Sequence, residues 1–76
     1  MAFDVFRVTP LPGDRKAVTA WAGPATGAAQ AVVVAAHVLG LPPSMRVRVE
    51  GRYAGAVKWE PIYTLMVSAA QAAAAR

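Results

Sequence analysis

PATGAAQAVVVAAHVLGLPP, residues 24–43, decides the architecture of this chain. Ala28, Ala29, Ala31, Val32, Val33, Val34, Ala35, Ala36, Val38 and Leu39 leave only Thr26, Gln30 and His37 as polar relief, so a helix here is apolar on nearly every side. Gly23-Pro24 opens it, and Pro24 suits the first helical turn, where its missing N–H is no loss. Gly40 can take the left-handed conformation after the last turn, Leu41 can fold back, and Pro42-Pro43 cannot continue the helix. Val32-Val33-Val34 alone would suit a strand, but the start and stop signals on either side select the helix. Such a helix wants more cover than a short chain supplies, which predicts a homo-oligomer, a dimer or higher.

On its N-terminal side, Phe3 to Thr9 is rich in strand formers. Pro10-Leu11-Pro12-Gly13-Asp14 breaks that run, with Pro12-Gly13 suited to the centre of a type II turn. Lys16 to Ala22 then returns, giving a hairpin over about residues 3–22. On its C-terminal side, Met45 to Glu50 alternates valines with charges, the pattern of a half-buried strand. Gly51 turns it, and Ala54 to Trp59 reads as the returning partner with Gly55, Val57 and Trp59 on the valine side. A two-residue Gly51-Arg52 loop would put Val57 and Trp59 with Arg46 and Arg48, so an odd-length loop fits better.

After Glu60-Pro61, the residues Ile62, Leu65, Met66 and Ala69 share one helical face, which fits an amphipathic C-terminal helix. A strand through Ile62 to Val67 followed by a short alanine helix competes, because Ile62, Tyr63, Thr64 and Val67 are good strand formers. The expected fold is a single α+β domain over residues 1–76. Two antiparallel hairpins form one sheet, the central helix packs on it, and a helix ends the chain, in the order ββαββα.

With 76 residues, folding buries only about 60% of the surface that the unfolded chain exposes, so the core needs supplement. There is no cysteine, one histidine and four acids, too few to build a disulfide, a thiolate site or a metal cage, and no cofactor is expected. His37 as a catalytic base would need a nucleophile or carboxylate nearby, and Ser44, Ser68, Asp4 and Asp14 show no spacing that provides one. Phosphate-cradling and dinucleotide motifs are missing as well, so the chain does not read as an enzyme. Residues 25–41 are interrupted by Gln30, His37 and Gly40 and fall short of the about 20 strongly apolar residues a span needs. The N-terminus lacks a basic stretch leading into an apolar core, so a cytoplasmic location is expected.

The formal net charge of +4 favours acidic partners. Arg46, Arg48, Arg52 and Lys58 form the candidate anion or nucleic-acid face, with Lys58 opposite Arg46 and with Arg7, Arg15 or Lys16 in support. Glu50 and Glu60 offset some of that charge, and cations on strands also protect sheet edges from mispairing, which needs no ligand. The nucleic-acid reading gains if aromatic rings share the basic face, because unstacked bases need platforms. Strand parity places Trp59 on the other side, in the core with Trp21, and leaves Tyr53 as the candidate partner contact. Thr26, Gln30 and His37 mark a narrow polar stripe along the helix, readable as a self-association stripe or as an ordinary polar edge.

The small size, the alanine, valine and arginine bias, the lack of cysteine, Gly40-Leu41-Pro42-Pro43 and the Met45 to Glu50 strand together resemble the short accessory proteins encoded by phages of high-GC actinobacteria. No site residue is carried over from that resemblance. It implies a protein that acts by binding a host protein, nucleic acid or the phage particle, and that is in some cases toxic to the host. Three expectations follow: a non-enzymatic module that modulates a host macromolecule, a nucleic-acid-binding protein, or a structural or assembly component of a particle.

Overall fold

The computed structural model describes residues 3–11 and 20–75. Its elements are β1 (Val5–Pro10), β2 (Trp21–Gly23), α1 (Ala28–Leu39), β3 (Arg46–Arg52), β4 (Glu60–Met66) and α2 (Val67–Ala74). The four strands form one antiparallel sheet in the order β2-β1-β3-β4. Because β2 and β3 each run antiparallel to β1, they are parallel to one another, and α1 is the crossover that carries the chain past β1. This is the α+β, ββαββα arrangement that the sequence predicts. The Pro12-Gly13 turn, Arg15, and the Lys16 to Thr19 part of the first hairpin lie outside the described residues.

Alternation decides which sheet face is covered. Phe6, Val8 and Pro10 of β1 and Val47, Val49 and Gly51 of β3 are buried, while Arg46 and Arg48 are exposed. The covered side receives Ala31, Val32, Ala35 and Ala36 of α1 and Val67 and Ala70 of α2. Alanine on both helices permits close approach, and the bulk comes from Val8, Val32, Val47, Val49 and Val67, each fully buried. Burial of each valine contributes about 2 kcal/mol.

The central helix begins later than Pro24. Gly27 stands at its N-cap in extended backbone, and the Gly27 carbonyl accepts the Ala31 N–H at 3.0 Å. A bend at Thr26 and Gly27 holds Pro24 outside the first turn, between β2 and α1. The other end follows expectation. Gly40 sits at φ 70°, ψ 38°, and the Leu41 N–H reaches back to the Ala36 carbonyl at 2.9 Å. No atom crowds a side chain there, so an L-residue at position 40 costs only the left-handed backbone penalty, about 1 kcal/mol. The sheet and α2 together cover the helix on the Ala31, Val32, Ala35 and Ala36 side, leaving Gln30, His37 and Val38 exposed.

The returning strand of the second hairpin is residues 60–66, not 54–59, and α2 starts at once behind it. The strand alternative for Ile62 to Val67 is therefore the observed one. Val47 pairs with Leu65 and Val49 with Tyr63, and a bulge between Val49 and Glu50 then passes over Ile62 to pair Glu50 with Pro61. Ile62 and Leu65 both pack against the core. Helix α2 has no side-chain cap at Met66; its first amide groups, Val67 and Ser68, donate instead to the carbonyls of Met45 and Pro43, each at 2.9 Å.

Residues 53–59 form the connecting loop. The Ala56 N–H donates to the Tyr53 carbonyl at 3.0 Å across a turn with Gly55 at φ 83°, a conformation suited to glycine. Asp4 Oδ2 accepts the Ala54 N–H at 2.6 Å and ties this turn to the start of β1. At the neighbouring end of β3, Phe3 lies flat over Gly51: a Cβ on Gly51 would stand 2.6 Å from Phe3 Cδ2 and 2.8 Å from Cδ1. Phe3 also meets Phe6 edge to face at 6.2 Å and Tyr53 at 4.6 Å between ring centroids.

Candidate functional site

Both helices cover one side of the sheet, and among the described residues no element covers the other, open side. Register puts Arg7 of β1, then Arg46, Arg48, Glu50 and Arg52 of β3, and then Thr64 and Met66 of β4 on that open side. Four arginines face one glutamate. Glu50 lies directly across from Arg7; its Oε1 accepts the Nε–H of Arg7 at 2.9 Å and forms an ion pair with Nη2 at 2.9 Å. The pair is partly buried, and at the sheet surface it contributes little stability, about 1 kcal/mol. Its effect here is to hold the Arg7 guanidinium in place while consuming the one carboxylate that the described strands place on this face. Arg46 and Arg48 are exposed and have no ion-pair partner among the described residues.

Trp59 lies on this open side. Its ring centroid is 4.6 Å from Arg7 Cζ and 4.8 Å from Arg52 Cζ, placing two guanidiniums over one indole. Cation–π contacts at partly exposed sites are worth about 0.5–1 kcal/mol each. Strand parity predicts Trp59 among the valines. It fails because residues 53–59 are not a strand, so side-chain alternation does not govern them, and the loop carries the indole onto the arginine side. Trp21 does pack against the core, partly buried.

The remaining candidates distribute differently from expectation. Lys58 is exposed in the loop beside Trp59, and Met66, not Lys58, is opposite Arg46. Arg52 stands at the Trp59 end of β3 and Arg46 at the far end, about 20 Å away along the strand. The basic residues thus form a row along β3 rather than a cluster at one hairpin tip. Tyr53 is half-buried against Phe3 and is not a freely exposed contact. Thr26, Gln30 and His37 are all exposed, but Thr26 precedes α1, so only Gln30 and His37 share the helix.

Among the described residues no group of three or more histidines, cysteines or acids is placed to hold a metal ion. No described helix is long and apolar enough to cross a membrane. Burial pushes the Tyr63 phenol above its ordinary value of 10.0. No protein-family model matches the chain, and neither a curated protein nor a solved structure matches it.

Proposed function

We propose that this protein is a small non-enzymatic binding module that holds single-stranded nucleic acid on its open sheet face, as an accessory factor of the phage type acting on host or phage nucleic acid. The observation that carries the reading is Trp59 on the arginine side, stacked with Arg7 and Arg52. Arg46 and Arg48 supply phosphate contacts, while the indole and its two guanidiniums supply planar surfaces for bases. Shape favours a single strand. The molecule is a slab with extents of 32 × 32 × 19 Å, and its broad face is too wide for a major groove about 12 Å across. Unstacked bases can lie on such a face; paired bases cannot.

The test is a titration of the protein with single-stranded DNA, single-stranded RNA and mixed duplex at roughly 50 and 200 mM salt. Two phosphate contacts on a single strand give a slope near −1.4, hence an expected loss of about sevenfold over that fourfold change. Duplex is expected to bind more weakly than either single strand. The Trp59→Ala variant should lose about tenfold in single-strand affinity, the effect of one lost base stack, with the salt slope unchanged. Absence of binding at low salt overturns the reading. The exposed apolar residues Val38, Val57, Tyr63 and Met66 would then direct the search to a protein partner, such as a host protein or a particle component.

A further inference from the structure

Glu50 interrupts the arginine row at a point where a phosphate would be repelled. Arg46, Arg48, Glu50 and Arg52 follow one another along the open side of β3, each about 6.8 Å from the next. A nucleic-acid strand lying along this row can set phosphates over Arg46 and Arg48 but not over the Glu50 carboxylate, so a base comes to that position instead. Arg7 joins the position to the stacking surface: its Nε donates to Glu50 Oε1 at 2.9 Å, and its Cζ is 4.6 Å from the Trp59 ring centroid. A base stacked against the indole therefore has the carboxylate within reach of its edge.

The second oxygen of that carboxylate is available. Arg7 contacts Oε1, and among the described residues Oε2 has no hydrogen-bond partner. No buried side-chain oxygen or nitrogen of the described residues lacks a partner, so Oε2 is among the atoms that give the Glu50 side chain its 15% exposure. An ionised carboxylate has about four acceptor positions, and the Arg7 hydrogen bond takes one of them.

We infer that Glu50 makes the site selective for guanine in a single strand, by accepting the N1–H and the N2 amino group of a base stacked on Trp59. The inference rests on the nucleic-acid reading and adds a specificity-determining residue to it. A carboxylate only accepts, so it is matched by an edge that carries two neighbouring donors. Guanine alone among the common bases has such a pairing edge. Cytosine and adenine set one amino donor beside a ring-nitrogen acceptor, and thymine and uracil set N3–H between two carbonyl oxygens. Each of these turns a lone pair toward the second carboxylate oxygen.

The test is a set of anisotropy titrations with labelled single-stranded DNA hexamers at the lower salt concentration: all thymine, and thymine alternating with guanine, adenine or hypoxanthine. The guanine hexamer should bind at least about tenfold more tightly than the thymine and adenine hexamers, within the range that one bidentate base contact supplies. Adenine controls for purine stacking. Hypoxanthine keeps N1–H and the fused ring but lacks the N2 amino group, and should lose most of the preference. In Glu50→Gln the guanine and thymine hexamers should bind within about twofold of each other, because an amide donor now meets the donor pair. A residue that only positioned Arg7 would, when replaced, weaken all hexamers alike and leave the preference in place. Equal binding of the four hexamers, or a guanine preference that persists in Glu50→Gln, overturns the inference while the single-strand reading stands. Absence of binding by every hexamer overturns both.

Discussion

Reversing the charge of Arg46 and Arg48 together, R46E/R48E, is expected to reduce single-strand binding at least about a hundredfold at low salt. Both residues project from β3 on the open side, and neither has an ion-pair partner among the described residues. The change removes two phosphate contacts and sets two carboxylates against the strand, and like-charge juxtaposition costs several kcal/mol, where about 2.8 kcal/mol already corresponds to a hundredfold. Whatever binding remains should have a salt slope shallower by about 1.4. Stability should change by no more than about 0.5 kcal/mol, since both side chains are exposed and outside the core. Fluorescence anisotropy of a labelled oligonucleotide alongside a urea melt separates the two effects. Retained affinity in a folded R46E/R48E protein would remove β3 from the binding surface.

The largest stability effect is expected at a glycine. Gly51→Ala places a methyl group inside the space of the Phe3 ring, and the ring cannot withdraw without giving up its contacts with Phe6 and Tyr53. Overpacking costs about 1–3 kcal/mol and lost aromatic pairing about 0.5–1.5 kcal/mol, so a loss near 3 kcal/mol is expected. Against the roughly 4–11 kcal/mol that a chain of this size has in total, that is a large share. The urea midpoint gives the value, and a cycle with Phe3→Ala gives its origin. In a Phe3→Ala background the methyl group has room, so the added cost of Gly51→Ala should fall by more than about 1 kcal/mol. A Gly51→Ala protein as stable as its parent would show that Phe3 does not rest on β3.

Where the sequence was readable, a single local rule was sufficient. Gly40 followed by Leu41-Pro42-Pro43 ends α1 because a left-handed residue and two prolines permit nothing else, and Met45 to Glu50 alternates because one face of β3 is buried. The second half of that hairpin obeys two rules at once. Ile62, Leu65, Met66 and Ala69 mimic a helical stripe because a bulged strand runs into a helix with no loop between them, and the two periods blend. The Ile62-Tyr63-Thr64 run, with Pro61 at a sheet border where its missing N–H is harmless, was the signal for a strand. Shifting that strand six residues downstream frees residues 53–59, and with them Trp59, from parity. Arg46 and Arg48 were legible as a basic face from alternation alone. The indole beside Arg7 and Arg52 was not, because a loop's direction depends on distant contacts, here Asp4 holding the Ala54 amide.

The junction between β4 and α2 couples two events that are usually separate. An eight-residue helix with no side-chain cap cannot nucleate by itself in water, and its first amides are satisfied by Met45 and Pro43, more than twenty residues earlier in the chain. Those carbonyls are in position only once β3 and β4 are zipped in register. Helix α2 is thus a latch fastened by the sheet: a slip of β4 by one residue undoes both hydrogen bonds and releases Val67 and Ala70 from the core together. Residues 60–74 are therefore expected to open and close as one cooperative unit, with the side of α1 that rests against α2 dry only while that unit is shut.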